Sequence, residues 1–488
     1  MEEENQQQPS DESKFIKIKK FPFIMGVFLL IFVTAGITTA AFVFGDEKVQ
    51  SIAPAVSNQR EEFNKLYSTY DTIKKQYYKD VDDNILINGA INGMLESLDD
   101  PYSDYMNEEE AQSFHQSISS SFEGIGAEIQ EQNSRIMVVS PIKGSPAEKA
   151  GIRPNDIILS VDGKSLEGMS SSEAVLLIRG KKGTKVELLI SRGTDSDPIK
   201  VSIVRDTIPI ETVYPEMLKN GVAKIQVTSF SENTSKELSD ALEEMQKQGM
   251  KGLILDLRGN PGGLLEQAID ISSMFVPNGK IVMQMEDREG KKQVSKSRND
   301  GELKLPTVVL IDKGSASASE IVAAAVKESA GIQLIGEKSF GKGTVQTAED
   351  FEDGSNFKYT AAKWLTPDGN WIHKKGIEPD IKVALPAYAN LPYISPDHEL
   401  KVSSTSSEVK AAEEMLSALG YKPGKIDGFY DESTQKAVST FQKDHKLKVS
   451  GTIKGDTTMN MMEELRKKIV NNDTQVKKAE QVLNEQIK

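Results

Sequence analysis

The chain of 488 residues contains no cysteine. That excludes disulfides, thiolate zinc sites and a cysteine nucleophile, and it fits an existence outside the cell that does not depend on redox state. Histidine is scarce as well: His115, His373, His398 and His445 are all there are. Only His373 falls in the segment that reads as α/β, within the polar stretch Gly369–Lys375 that reads as exposed, so a Ser-His-Asp triad is disfavoured. Positive charge is in deficit, with a net charge of −14, which argues against nucleic acid or an anionic surface as the main partner. We expect neither a metal nor a cofactor. The charged and apolar fractions, 27% and 38%, are those of an ordinary globular chain, and the length calls for two to four domains.

One long stretch lacks charge altogether. Phe21–Gly45 is apolar over enough residues that a helix rising about 1.5 Å per residue crosses a hydrocarbon core of roughly 30 Å. Lys14, Lys17, Lys19 and Lys20 precede it; Asp46 and Glu47 follow. The positive-inside rule then places residues 1–20 in the cytoplasm, 21–45 in the cell membrane as a single-pass signal-anchor, and the remainder outside. A cleaved signal peptide is the competing reading, since Thr38-Thr39-Ala40-Ala41 offers small residues, but signal cores run only about 7–15 residues.

After the anchor, residues 51–120 read as helical. Leu66, Tyr70, Ile73 and Tyr77 recur at helical spacing, and Ile85–Leu98 repeats the pattern before Leu98-Asp99-Asp100-Pro101-Tyr102-Ser103 breaks it with turn chemistry. This region reads as a stalk without chemistry that packs on the next domain or on a second copy, a homodimer being the simplest case. Residues 122–206 turn to short β-rich runs: Val138–Ser140, Ile157–Val161 and Val186–Ile190. The glycines of Phe122-Glu123-Gly124-Ile125-Gly126-Ala127 permit a loop whose N–H groups converge on an anion, such as a peptide carboxylate, while the peptide backbone adds as a strand to the following edge.

Residues 211–383 read as a larger α/β unit. The strand candidate Val222–Val227, the helical Ser231–Lys247 and the buried run Gly252–Leu257 lead into Arg258-Gly259-Asn260-Pro261-Gly262-Gly263. A helix (Leu264–Phe275) and a strand (Thr307–Ile311) follow. Next comes Gly314–Gln346, with serines at 315, 317 and 319, a helix-compatible run Ile321–Val326 and a lysine between glycines, Gly341-Lys342-Gly343. Serine needs a base to become a nucleophile. A lysine serves only if it is neutral, and burial lowers an amine's pKa by up to about 3–5 units; Phe340 and Val345 are its apolar neighbours in sequence. Composition does not choose among the three serines. Residues 384–407 form a Pro- and Ser-rich linker, 408–465 a small helical unit, and 466–488 a charged helical tail expected to be solvated.

Three resemblances rest on these stretches. The glycine loop, SPAEKAGI, NDIILSVDG and the helix Ser172–Arg179 closing on Gly180 resemble a PDZ domain of the bacterial protease type. That implies recognition of C-terminal tails by Gly124, Ile125, Gly126 and Ala127, in a groove running to Gln130 beside the helix Ser171–Ile178. It also implies that Arg179 reports peptide arrival to the catalytic domain. LGYKPGKIDGFYDESTQKAVSTFQKDHKLKVSGTI resembles the peptidoglycan-binding helical domain of cell-wall proteins, which makes peptidoglycan a partner. GSASASEIVAAA, GEKSFGKGTVQ and LDLRGNPGGLL together resemble the carboxyl-terminal processing, or tail-specific, serine proteases.

This last resemblance implies an α/β multidomain chain whose core is a crotonase-like or ClpP-like serine protease, acting on protein substrates with accessible C-terminal tails. It implies Ser317 as nucleophile, Lys342 as base and Gln346 as the residue holding the lysine amine, with the N–H groups of Ala318 and Gly263 as the oxyanion hole. A route from the tail-binding loop to the site through Arg179 and Gln346, and a setting in envelope or sporulation signalling, are further expectations. The alternatives are a non-catalytic wall scaffold and an enzyme acting on the peptidoglycan peptide itself.

Overall fold

The computed structural model describes residues 60–132, 134–192, 197–298 and 303–487. Among them no helix is long and apolar enough to cross a membrane. The expected anchor, Phe21–Gly45, lies outside the described residues, as does everything before Arg60. The described residues fall into two units, divided between Gly89 and Ala90. In the first, the helix Asn64–Gln76 buries none of its residues, and Lys74 pairs with Asp83 at 2.6 Å.

The second unit is built on a six-stranded sheet in the order Val213–Met217, Val222–Val227, Gly252–Asp256, Thr307–Ile311, Gln333–Gly336, Ile381–Lys382. Only the first pair is antiparallel. Every residue of Gly252–Asp256 and Thr307–Ile311 is buried, as expected of parallel strands covered on both faces. Ala223, Ile225, Leu253, Leu255, Val309 and Ile311 point to one face, where they pack with the helices Thr234–Lys247, Leu265–Phe275 and Ala318–Ala330.

Val222, Ile254, Val308, Leu310 and Ile335 point to the other face and meet Ala479, Val482 and Leu483 of the last helix, Thr474–Gln486. The tail is therefore not a solvated appendage. Its apolar positions recur at three- and four-residue spacing, and they cover a sheet face that would otherwise lie bare.

A second, antiparallel sheet of Asp104–Met106, Asn356–Leu365, Ile281–Glu286 and Lys292–Lys296, with Thr344–Asp350 also paired to Asn356–Leu365, stands beside the first. Residues 121–209 form the β-rich unit: strands Ala127–Gln132, Arg135–Pro141, Ile157–Val161, Lys185–Ser191 and Ile199–Val204 around Ile136, Val138, Ile158, Leu188 and Ile190. Its chain enters and leaves through one ribbon, Ser121–Gly124 against Asp206–Pro209.

The helices Ser407–Leu419, Glu432–Asp444 and Asp456–Asn471 make a third core, which also takes in Ile394 and Leu400, with Tyr388 and Leu391 against it. The stretch read as a linker thus packs in part on this core.

Candidate active site

The three serines separate on geometry. Ser315 is fully buried; its Oγ donates to the Leu257 carbonyl at 2.8 Å and accepts the Asp312 N–H at 3.0 Å. Ser319 is fully buried too, and its Oγ donates to the Asn260 carbonyl at 2.9 Å. Ser317 is half-buried at the start of the helix Ala318–Ala330, with φ 54° and ψ −112°. A side chain rarely adopts that backbone, which costs on the order of 1–3 kcal/mol and persists only where its surroundings hold it. What holds it is a carboxylate: the Ser317 N–H donates to Glu320 Oε2 at 2.9 Å.

Glu320 is fully buried among the apolar residues of its helix. Besides Ser317 it accepts the Ser339 hydroxyl at 2.6 Å, the Gly341 N–H at 2.7 Å and the Lys342 N–H at 2.8 Å. One acceptor therefore ties the strained serine to the backbone of the glycine-flanked lysine. The sequence reading missed this residue. The signal available was a lone carboxylate near the start of an otherwise apolar run, three positions after the serine.

The Lys342 amine lies 4.8 Å from the centroid of the Tyr102 ring. Burial, and after it repulsion by the Lys358 ammonium, pushes its pKa below the ordinary lysine range, against the opposing pull of Asp100 and Glu320. The apolar cover comes from Tyr102, not from Phe340, which is 56% exposed. The turn Asp100–Ser103, expected to carry no chemistry, is thus brought to the lysine.

His373, expected to be exposed, is half-buried beside the lysine loop. It stacks on Trp371 with ring centroids 5.2 Å apart, and its Nδ1 accepts the Gly343 N–H over a long 3.4 Å. Gln346 is half-buried; its Nε2 donates to Thr344 Oγ1 at 3.0 Å and to Thr360 Oγ1 at 3.2 Å.

The glycine turn after Gly252–Asp256 lies against Ser317. A Cβ on Gly262 would fall 2.8 Å from the Ala316 carbonyl oxygen and 2.9 Å from Ser317 Cβ, so no side chain fits there. Gly263, with φ 148°, bridges to Phe230. The bridge uses the Phe230 N–H to Gly262 O (3.0 Å) and the Leu264 N–H to Phe230 O (2.7 Å), and leaves the Gly263 N–H without a backbone acceptor among the described residues. Ala318 opens its helix, where N–H groups have no partner within the helix. The Ala318 N–H follows Ser317 directly and the Gly262–Gly263 turn packs on Ser317 Cβ, so these two N–H groups are the candidates for holding an oxyanion.

In the β-rich unit, Gly124 ends one strand, Ile125 is buried in the core, Gly126 has φ +75° and Ala127 opens the next strand. A Cβ on Gly126 would lie 2.5 Å from Ser145 Cβ. Arg179 sits beside this loop, its guanidinium 4.8 Å from the Phe122 ring centroid and its Nη1 3.3 Å from Gln116 Oε1. Among the described residues, these two side chains are its ring and hydrogen-bond partners.

Residues 221–383 match the model of peptidase family S41, 27–110 the N-terminal domain of the activating protease CtpB, 115–191 the PDZ domain and 405–462 a peptidoglycan binding domain. The chain is 52% identical over 463 residues to the carboxy-terminal processing protease CtpA of Bacillus subtilis (strain 168), covering 94% of this chain and 99% of that protein. It is 42% identical to carboxy-terminal processing protease CtpB of the same strain, covering 88% and 91%. Among solved structures, the photosystem II D1 C-terminal processing protease is 30% identical over 66% of this chain and 87% of that one, with a TM-score of 0.40.

Proposed function

Because the chain belongs to the S41 peptidase family and is a serine-type carboxy-terminal processing protease with a PDZ domain, we propose that it cuts proteins near their C-terminal tails with a Ser317–Lys342–Gln346 site. The observation that carries this reading is the convergence on one carboxylate, Glu320, of the backbone of an accessible, strained serine and of a desolvated lysine.

Ser317 Oγ attacks the peptide carbonyl carbon while its proton passes to the neutral Lys342 amine. The oxygen of the tetrahedral adduct is held by the Gly263 and Ala318 N–H groups. Lys342 then gives its proton to the leaving nitrogen, and the C–N bond breaks. Water enters, loses a proton to Lys342 and attacks the acyl-enzyme; the proton returns to Ser317 Oγ as the new C-terminus departs.

The groove beside Gly124–Ala127 takes the substrate tail, its carboxylate on the loop and its backbone on the edge of Ala127–Gln132. We further propose that Phe21–Gly45 anchors the chain in the cell membrane with the protease outside, and that the C-terminal helical unit engages peptidoglycan. The exposed Leu66, Tyr67, Tyr77, Tyr78, Ile85 and Ile87 support self-association of the N-terminal helices. Envelope or sporulation signalling is the setting this combination suits.

The test is cleavage of an unstructured tailed substrate followed by mass spectrometry. Ser317→Ala and Lys342→Ala should each lose roughly 10³-fold or more in kcat, whereas Ser319→Ala should keep turning over. Loss on Ser319→Ala alone, with Ser317→Ala active, overturns the assignment.

A further inference from the structure

Gln346 is an amide with one donating and one accepting end, and the two ends are not equivalent to a lysine base. An NH2 group facing the amine competes for its lone pair, the pair that must take the serine proton. A carbonyl oxygen accepts an amine hydrogen and leaves the lone pair directed elsewhere. Something must fix which end is presented. Gln346 sits at a register irregularity, opposite Thr360 on the neighbouring strand, and its side-chain NH2 meets two threonine hydroxyls. A hydroxyl can donate as well as accept, so the threonines alone do not decide.

Asp100 decides. Thr360 Oγ1 donates its only proton to Asp100 Oδ2 at 2.6 Å. The same carboxylate accepts the Ser103 hydroxyl at 2.7 Å and the Tyr102 N–H at 3.1 Å. Burial opposes its ionisation, but the hydrogen bonds from Thr360, Ser103 and the Tyr102 N–H outweigh burial and hold the carboxyl below the usual carboxylate range. A carboxylate only accepts. With its proton committed to Asp100, the Thr360 oxygen faces Gln346 as a pure acceptor, and only the NH2 end of Gln346 can lie toward it.

We propose that Asp100 is a positioning residue for the lysine base, setting through Thr360 the polarity of the Gln346 amide so that its oxygen, not its NH2, is offered to the Lys342 amine. The turn carrying Asp100 also carries Tyr102, whose ring covers that amine. It is held in place by the strand Asp104–Met106, paired to Asn356–Lys358 just before Thr360. The turn is therefore part of the site, although Asp100 lies 260 residues from Thr360 in sequence.

The inference rests on the Ser317–Lys342 reading, and its test keeps the two apart. Full-length Asp100→Asn, Thr360→Val, Thr360→Ser and Lys342→Ala proteins are assayed for kcat, KM and pH dependence on one tailed peptide, with folding checked by circular dichroism. Asp100→Asn and Thr360→Val should each lower kcat by roughly 10- to 100-fold with KM nearly unchanged. The double variant should be no worse than the poorer single one, and Thr360→Ser should restore most of what Thr360→Val loses.

The charged and titratable groups around the amine are Asp100, Glu320, Lys358, Tyr102 and His373. Of these, Asp100 favours the protonated amine, so Asp100→Asn should also move the ascending limb of the profile to lower pH. That shift follows from the lost charge alone; the relay itself is read from the loss confined to kcat, the double variant and the rescue by Thr360→Ser. If Lys342→Ala is inactive while Asp100→Asn and Thr360→Val keep wild-type kcat, or if the two losses multiply, this inference falls alone. If Lys342→Ala is fully active, the function reading falls and takes the inference with it.

Discussion

At the scale of single residues, Glu320 is the group on which the proposed nucleophile and base both depend. Its carboxylate faces four donors, and Glu320→Gln replaces one acceptor oxygen with an NH2 group that meets donors head-on. Each buried donor left without a partner costs about 1–3 kcal/mol, and the strained Ser317 backbone loses its restraint. Glu320→Gln should therefore lower kcat on the order of 100-fold with KM little changed, and lower the melting temperature as well; unchanged kcat would show that the carboxylate serves folding alone. The lysine yields a second outcome, with its sign fixed by charge. In the proposed mechanism activity requires the neutral amine, so it should rise with pH through the Lys342 pKa. The Lys358 ammonium disfavours a second positive charge nearby. Lys358→Gln removes that repulsion, raises the pKa and should move the ascending limb of kcat/KM to higher pH, opposite to Asp100→Asn. A pH profile of the two variants side by side checks both directions.

At the scale of elements, the last helix decides whether the central sheet is stable. Leu483 is fully buried on the face formed by Ile254, Val308, Leu310 and Ile335, and Leu483→Ala should cost about 2–5 kcal/mol, read as a lowered melting temperature. The helix is also pinned by polar contacts. Arg258, clamped to Asp256 by two bonds of 2.7 and 2.8 Å, reaches Asp473 and Gln475 at 2.8 Å each.

None of this was legible in the sequence, where 466–488 reads only as charged and helical, because most of the sheet face it covers, Val222 to Ile335, is more than 100 residues away. The elements of uniform character were legible. The fully apolar strands Gly252–Asp256 and Thr307–Ile311 and the amphipathic helix Thr234–Lys247 carry their periods on their faces. The antiparallel strands Ile281–Glu286, Lys292–Lys296 and Asn356–Leu365 went unread, since their mixed, half-exposed side chains give neither period cleanly. In the proposed site, Ser317 and Lys342 were singled out through motifs. Asp100, Tyr102 and Glu320 were not, because a turn and a capping position explain them adequately until the chain is folded.

At the scale of the whole second unit, the loop proposed to bind the tail and the turn carrying Gly263 are joined through a few bonds. Arg179, beside Gly124, donates to Gln116 on the helix Glu108–Ser119. That helix accepts the Glu232 N–H at Ile118 O, 3.0 Å, and the Ser231 hydroxyl at Ser117 O, 3.1 Å. The next residue back, Phe230, holds both neighbours of Gly263. A tail seated on the loop and drawing on the Arg179 charge would loosen the Gln116 bond and shift the helix, and the shift would reach the Gly263 N–H by way of Phe230. Couplings of this kind run to about 5–150-fold. The measurement is kcat for a peptide with a free C-terminal carboxylate relative to its amidated form, beside the affinity of each for the Ser317→Ala protein. Gln116→Ala should shrink the kcat ratio several-fold while the affinities stay put, because Gln116 lies outside the groove and acts only after the tail has bound. A variant that bound the tail more weakly yet kept the wild-type kcat ratio would place the coupling elsewhere, leaving the Phe230 contacts as simple packing.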